Sequence, residues 1–164
     1  MKNVIAFTAV LMLMLFSTMV NGQAVLNLGK CDFKISEIRE VPGFKGENGI
    51  VKPSRRDAKL LEIKLEGKAN SDGASAWYPQ MFAAIFYYRG ALRITPALAI
   101  GMKFKDPLKG ENIEQWFNAP GVSFTSKNKE GDPLATYLIV EIAKETNDFI
   151  LQGPSIITET GLKQ

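Results

Sequence analysis

Residues 135–151 read ATYLIVEIAKETNDFIL, two apolar runs rich in β-branched and aromatic residues on either side of a short polar segment. Such runs suit a pleated surface packed on at least one face. Side chains alternate along a strand, so Tyr137, Ile139 and Glu141 point one way and Leu138, Val140 and Ile142 the other. The second set is the purer apolar face. Lys144, Glu145, Thr146, Asn147 and Asp148 supply a polar turn, after which Phe149, Ile150 and Leu151 resume the apolar pattern. The stretch therefore reads as a hairpin or a sheet corner in the middle of a β-sandwich.

The same period of two recurs upstream. Residues 58–68 place Leu61, Ile63 and Leu65 inward and Glu62, Lys64 and Glu66 outward, with one wet face as in an antiparallel sheet. In residues 32–41, Phe33 and Ile35 share a face but Ile38 falls out of step, which a bulge near Ser36 and Glu37 would accommodate. Residues 77–88, WYPQMFAAIFYY, carry Phe82, Ala84, Phe86 and Tyr88 on one face and Met81, Ala83, Ile85 and Tyr87 on the other. Both faces are mostly apolar, as in a central strand, although periodicity alone also admits a short buried helix. Residues 92–103 contain Pro96, which cannot donate a ladder hydrogen bond, so this strand is interrupted or lies at an edge. Residues 42–53 read as a loop with a brief edge pairing at Ile50 and Val51. Near residues 111–117, Ile113, Trp116 and Phe117 form either one turn of helix or part of an ordered loop packed by its aromatics. Strand patterns separated by turn signals, with few amphipathic helices, predict an all-β, immunoglobulin-like antiparallel β-sandwich of about seven strands.

At the amino terminus Lys2 is followed by an apolar run over residues 4–20 and then by the small and polar residues Asn21, Gly22, Gln23 and Ala24. That is the layout of a secretory signal peptide, cut after Gly22 or after Ala24. Residues 1–22 are accordingly assigned to the signal peptide and residues 23–164 to one domain, secreted or otherwise extracytoplasmic in the periplasm or at the cell surface, with no stable membrane insertion of the mature chain. Lys30 directly before Cys31 does not fit the small-residue pattern that lipid attachment recognises, so Cys31 reads as a structural thiol. A single cysteine permits no intramolecular disulfide, and the fold must be held by its core. Histidine is absent, which removes the usual general base, the Ser/His and Cys/His nucleophile arrangements and the commonest transition-metal ligand. A formal charge of +3 with interleaved signs is too mild to argue for nucleic acid.

The alternating strand LLEIKLEGKA, the small polar turn NSDGA and the terminal pattern EGDPLATYLIVEIAKETNDFIL together resemble a bacterial family of exported immunoglobulin-like domains of unknown function, often found in lipoproteins. The similarity runs from Ala58 onward and departs from the lipoprotein pattern at Lys30 and Cys31. It implies the sandwich fold and brings no catalytic residues with it.

Asp57, Asp72, Asp106, Asp132 and Asp148 fall at turn positions, where aspartates accept backbone hydrogen bonds, and Asn70, Ser71 and Asp72 lack the spacing of a calcium loop. No cofactor or metal site is expected. The residues assigned to binding are Trp77, Tyr78, Trp116 and Phe117, large aromatics at strand ends and in loops. The expected function is that of a non-catalytic binding or adhesion module that engages a protein or glycan partner through these aromatics. The alternative is a carboxylate-dependent extracytoplasmic hydrolase, which requires two carboxylates at a defined separation.

Overall fold

A computed structural model of the chain describes residues 19–20, 23–27, 31–118, 124–153 and 157–161. Apart from Met19 and Val20, the expected signal peptide lies outside the described residues. Among those residues are fifteen strands: β1 (Met19–Val20), β2 (Gln23–Asn27), β3 (Cys31–Val41), β4 (Phe44–Gly46), β5 (Gly49–Val51), β6 (Ala58–Ala69), β7 (Gly73–Trp77), β8 (Ala83–Tyr88), β9 (Ala91–Pro96), β10 (Ala99–Lys105), β11 (Asn112–Phe117), β12 (Phe124–Asn128), β13 (Pro133–Ala143), β14 (Asp148–Gln152) and β15 (Ile157–Gly161). One large sheet has the order β1-β2-β3-β6-β13-β10-β11 and a second the order β15-β14-β8-β9, while β12-β7 and β4-β5 form two-stranded pairs. All pairings are antiparallel. Within the large sheet, β3-β6-β13-β10 occupy the A-B-E-D order of an immunoglobulin sandwich, and β15-β14-β8-β9 occupy G-F-C-C′. The strand count exceeds the expected seven because residues read as leader and loop also pair. The β4-β5 hairpin, for example, joins Phe44 to Val51 and Lys45 to Ile50.

The two sheets enclose the main core. Leu61, Ile63 and Leu65 of β6 and Leu138, Val140 and Ile142 of β13 meet Phe82, Phe86, Phe149 and Leu151 from the other side. These are the inward parities expected for residues 58–68 and 135–151, because alternation sends every second side chain to one face. The polar turn after β13 is a sheet corner: β13 pairs with β6 and β10, whereas β14 pairs with β8 and β15. The bulge in β3 falls between Ile35 and Glu37, which returns Ile38 to the core side. Pro96 ends β9, after which the chain crosses to the large sheet as Leu98 N–H donates to Ile139 O at 2.8 Å. Thr95 Oγ1 donates to Glu141 O at 2.9 Å and ties the second sheet to the first near that crossing.

Three expectations are corrected here. Residues 112–117 form strand β11, not a helical turn, paired with β10 from Ile100–Phe117 to Lys105–Asn112. Ile113, Trp116 and Phe117 are β-formers, and β10 offers them an open edge whose ladder outweighs one isolated helical turn. The outer face of β6 is also not wet. Leu60, Ile139, Ala99, Trp116 and Phe44 form a second buried cluster there, under the β4-β5 hairpin, and Glu62 is buried beside it. The run 77–88 is divided as well, since β7 ends at Trp77 and a single 3-10 turn, Pro79–Met81, leads into β8.

Candidate functional site

The four aromatics expected to bind do not form one surface. Trp77 is 2% exposed and Trp116 7%, while Tyr78 is 39% exposed. Trp77 packs edge-on against Phe33 at 5.6 Å within the main core. Trp116 meets Phe44 at 5.8 Å and Tyr137 at 6.5 Å within the second core. Phe117 is half-buried against the main core. The reason is parity: neighbours in β11 point to opposite faces of the large sheet, and each face there is covered. Of the four, Tyr78 alone is classed as exposed.

The aspartates follow the turn reading in most cases. Asp106 Oδ1 accepts from Leu108 N at 2.8 Å and Lys109 N at 3.2 Å. Asp132 Oδ2 accepts from Lys129 N at 2.7 Å, and Asp72 Oδ1 from Glu130 N at 2.8 Å. Asp57 Oδ2 instead accepts the Tyr88 hydroxyl at 2.9 Å, which holds the Asp57 carboxyl below the usual carboxylate range. Burial, followed by that bond, raises the Tyr88 hydroxyl above the usual tyrosine value. Among the described residues no group of three or more His, Cys, Asp or Glu side chains is placed to hold a metal ion.

Two carboxylates do come together on the outer side of the large sheet. Lys103 Nζ lies 2.7 Å from Glu62 Oε2 and 2.8 Å from Glu114 Oε1, and Arg39 reaches Glu62 Oε1 at 2.7 Å. The two oxygens that share Lys103 are thus at most about 5.5 Å apart, no farther than the carboxyl groups of a retaining glycosidase pair. Their environment opposes that chemistry. The hydrogen bond from Lys103 holds Glu114 below the usual carboxylate range, whereas a general acid needs a raised pKa. Lys103 also sits over the rings of Trp116 and Tyr137, at 5.7 and 5.1 Å, so the cluster ties four strands together through neutralised charge.

The second sheet differs from the first in leaving its apolar outer face exposed. Along β8, Phe86 and Tyr88 are buried and Tyr87 projects outward. Tyr87 stands opposite Leu92, and Ile85 opposite both Ile94 and Ile150. Tyr87 is 74% exposed, Leu92 51% and Ile94 60%. These side chains share one face by alternation and make a contiguous apolar row on a strand pair that ends at the free edge of β9. Beside Tyr87 a groove of about 540 Å³ runs between Ile85, Leu92 and Ile150 and the β13–β14 turn, where Glu145, Thr146 and Asp148 line it. A second groove, of about 490 Å³, lies by Gly73, Lys127, Lys129 and Asp132.

No family model matches the chain, and no curated protein sequence matches it. Among solved structures, it is similar to a crystal structure of an uncharacterized β-sandwich protein from Clostridium difficile 630, at 12% identity and a TM-score of 0.46, over 85% of this chain and 89% of that one.

Tyr87, Leu92 and Ile94 are the residues that sequence reasoning did not select. The signal was present in the two-sided apolar pattern of residues 82–88 beside the edge signal of Pro96. A strand apolar on both faces needs a cover for each, and the second sheet has a described partner layer on one side only.

Proposed function

We propose that this chain is an exported, non-catalytic binding module whose contact surface is the outer face of β8, β9 and β14. The row of exposed Tyr87, Leu92 and Ile94 carries the reading, because a contiguous apolar patch on a soluble domain marks an interaction site more often than scattered single residues do. Tyrosine suits such a surface, presenting a large ring at low entropic cost together with a polar tip. This replaces the strand-end aromatics as the contact, since Trp77 and Trp116 are engaged in the two cores. Export is supported by the charged start, apolar middle and small-residue exit of residues 1–24. A photo-crosslinking amino acid in place of Tyr87 should capture a covalent partner in the cell that makes the protein, while the same group at exposed Lys45, in the β4-β5 hairpin, should not. Equal labelling from both positions, or none from position 87, overturns the reading.

A second reading, a carboxylate-dependent hydrolase, has one observation in its favour, the closeness of Glu62 and Glu114 through Lys103. It is the weaker because Glu114 is held ionised and Glu62 is buried under two cations.

A further inference from the structure

We propose that the groove beside Tyr87 takes a basic, extended segment of a partner protein, with a lysine or arginine head seated between the Tyr87 ring and the carboxylates of Glu145 and Asp148. The proposal rests on the reading of this face as the contact surface and specifies its chemistry. Charge complementarity carries it. The described groove residues include two carboxylates and no lysine or arginine, in a chain whose formal charge is +3. Six other acids have internal work: Glu62, Glu66 and Glu114 are ion-paired, and Asp72, Asp106 and Asp132 bind backbone N–H groups. Glu145 and Asp148 make no ion pair among the described residues and line the groove. Asp148 lies two residues along β14 from Ile150, on the same face, so acid and apolar row share one surface.

A lysine or arginine stem can lie along Leu92 and Ile85 while its head reaches the carboxylates, and a cation over a tyrosine face is itself attracted. A glycan fits less well, because the branched aliphatics Leu92, Ile94 and Ile150 complement apolar side chains and not hydroxyl-bearing rings.

The test titrates three probes into isotope-labelled protein, purified in the form its cell produces, at physiological salt. They are an acetylated hexapeptide of alternating leucine and arginine, its leucine–glutamate counterpart, and the neutral hexasaccharide cellohexaose. The arginine peptide should shift the amides of Tyr87, Leu92 and Asp148 and the glutamate peptide should not. The Glu145→Gln/Asp148→Asn double variant, with its spectrum otherwise retained, should weaken binding by about fivefold, as loss of two exposed charge pairs allows. Failure of the arginine peptide to shift these amides, equal binding by the glutamate peptide, or undiminished binding to the double variant overturns the proposal. Shifts from cellohexaose alone would make the groove a glycan site, and shifts with protein concentration alone would make it a self-association surface; either result also overturns the proposal. Tyr87→Ser separates the two levels. If it abolishes peptide binding while the double variant does not, the contact face stands and the acidic lining falls. If neither variant matters, both readings fall.

Discussion

Gly101 in β10 is paired with Trp116 of β11 on one side and Tyr137 of β13 on the other. A Cβ added there would stand 2.4 Å from the Gln115 carbonyl oxygen and 2.6 Å from Cε3 of the Trp116 ring. The first obstacle is backbone of a paired strand. The second is an indole wedged between Phe44 and Tyr137. Neither can retreat without opening the β10–β11 ladder or loosening the second core. Gly101 is not among the positive-φ glycines, so alanine meets no backbone strain and would by itself gain about 0.5–1 kcal/mol from the unfolded state. Overpacking at a well-filled site costs about 1–3 kcal/mol, and two contacts well inside van der Waals range put this one at or beyond the upper end. The net expectation for Gly101→Ala is a loss of about 2 kcal/mol, or about 4–8 °C in Tm for a domain of this size.

Urea unfolding followed by tryptophan fluorescence measures this directly, with far-ultraviolet circular dichroism as the second probe. Trp116→Ala alone should cost about 3–5 kcal/mol as a buried large-to-small change. In that background Gly101→Ala should cost less, because the ring contact is gone, yet still something, because the Gln115 carbonyl remains. A Gly101→Ala protein as stable as the parent, or one whose loss is unchanged by removing Trp116, refutes the close-approach account.

Glu62→Gln keeps the shape of the buried side chain but removes the charge that Arg39 and Lys103 share, and should cost about 2 kcal/mol in urea unfolding, limited because Arg39 is half-exposed and can rehydrate. Acid should destabilise the domain: hydrogen bonds from Tyr88, Lys64 and Lys103 lower the carboxyls of Asp57, Glu66 and Glu114 respectively. The stability they contribute is present above the unfolded carboxylate pKa, near pH 4, and lost as pH falls through the lower folded values, so Tm should drop over that window and drop less in Tyr88→Phe. The Tyr88 hydroxyl is raised, so its share is present below about pH 10 and lost as pH rises through the folded value; Tyr88→Phe should also remove that part of the alkaline decline.

Alternation made the inward faces legible. Leu61, Ile63 and Leu65, and Leu138, Val140 and Ile142, lie where a period of two puts them, and the β3 bulge and the break at Pro96 follow from local chemistry. What covers the opposite face was not legible, because parity assigns a side without naming its neighbour. Glu62 has the spacing of a solvent-facing residue and is buried, since the β4-β5 hairpin brings Phe44 over that side. Trp116 and Phe117 look like loop aromatics until β11 takes the open edge of β10 and sends one ring to each face. The apolar outer row at Tyr87 could not be separated from a core strand for the same reason: sequence registers two apolar faces and is silent on which has a second layer.

The contrast between the two sheets bears on how the domain would make the proposed contact. In the large sheet both faces of β13 are covered, with Leu138 and Val140 in one core and Ile139 in the other. The outer face of β8 and β9 is as apolar as that covered surface and still exposes Tyr87, Leu92 and Ile94. The adjoining edge is guarded. Arg93 has the parity of the inward-facing residues of β9 yet remains exposed, and Pro96 removes a donor, two devices that discourage a further strand from pairing there. On the proposed reading of this face, an edge that discourages strand addition favours a partner read through side chains, by the ring of Tyr87 and the carboxylates of Glu145 and Asp148, over one added as a further strand of the sheet.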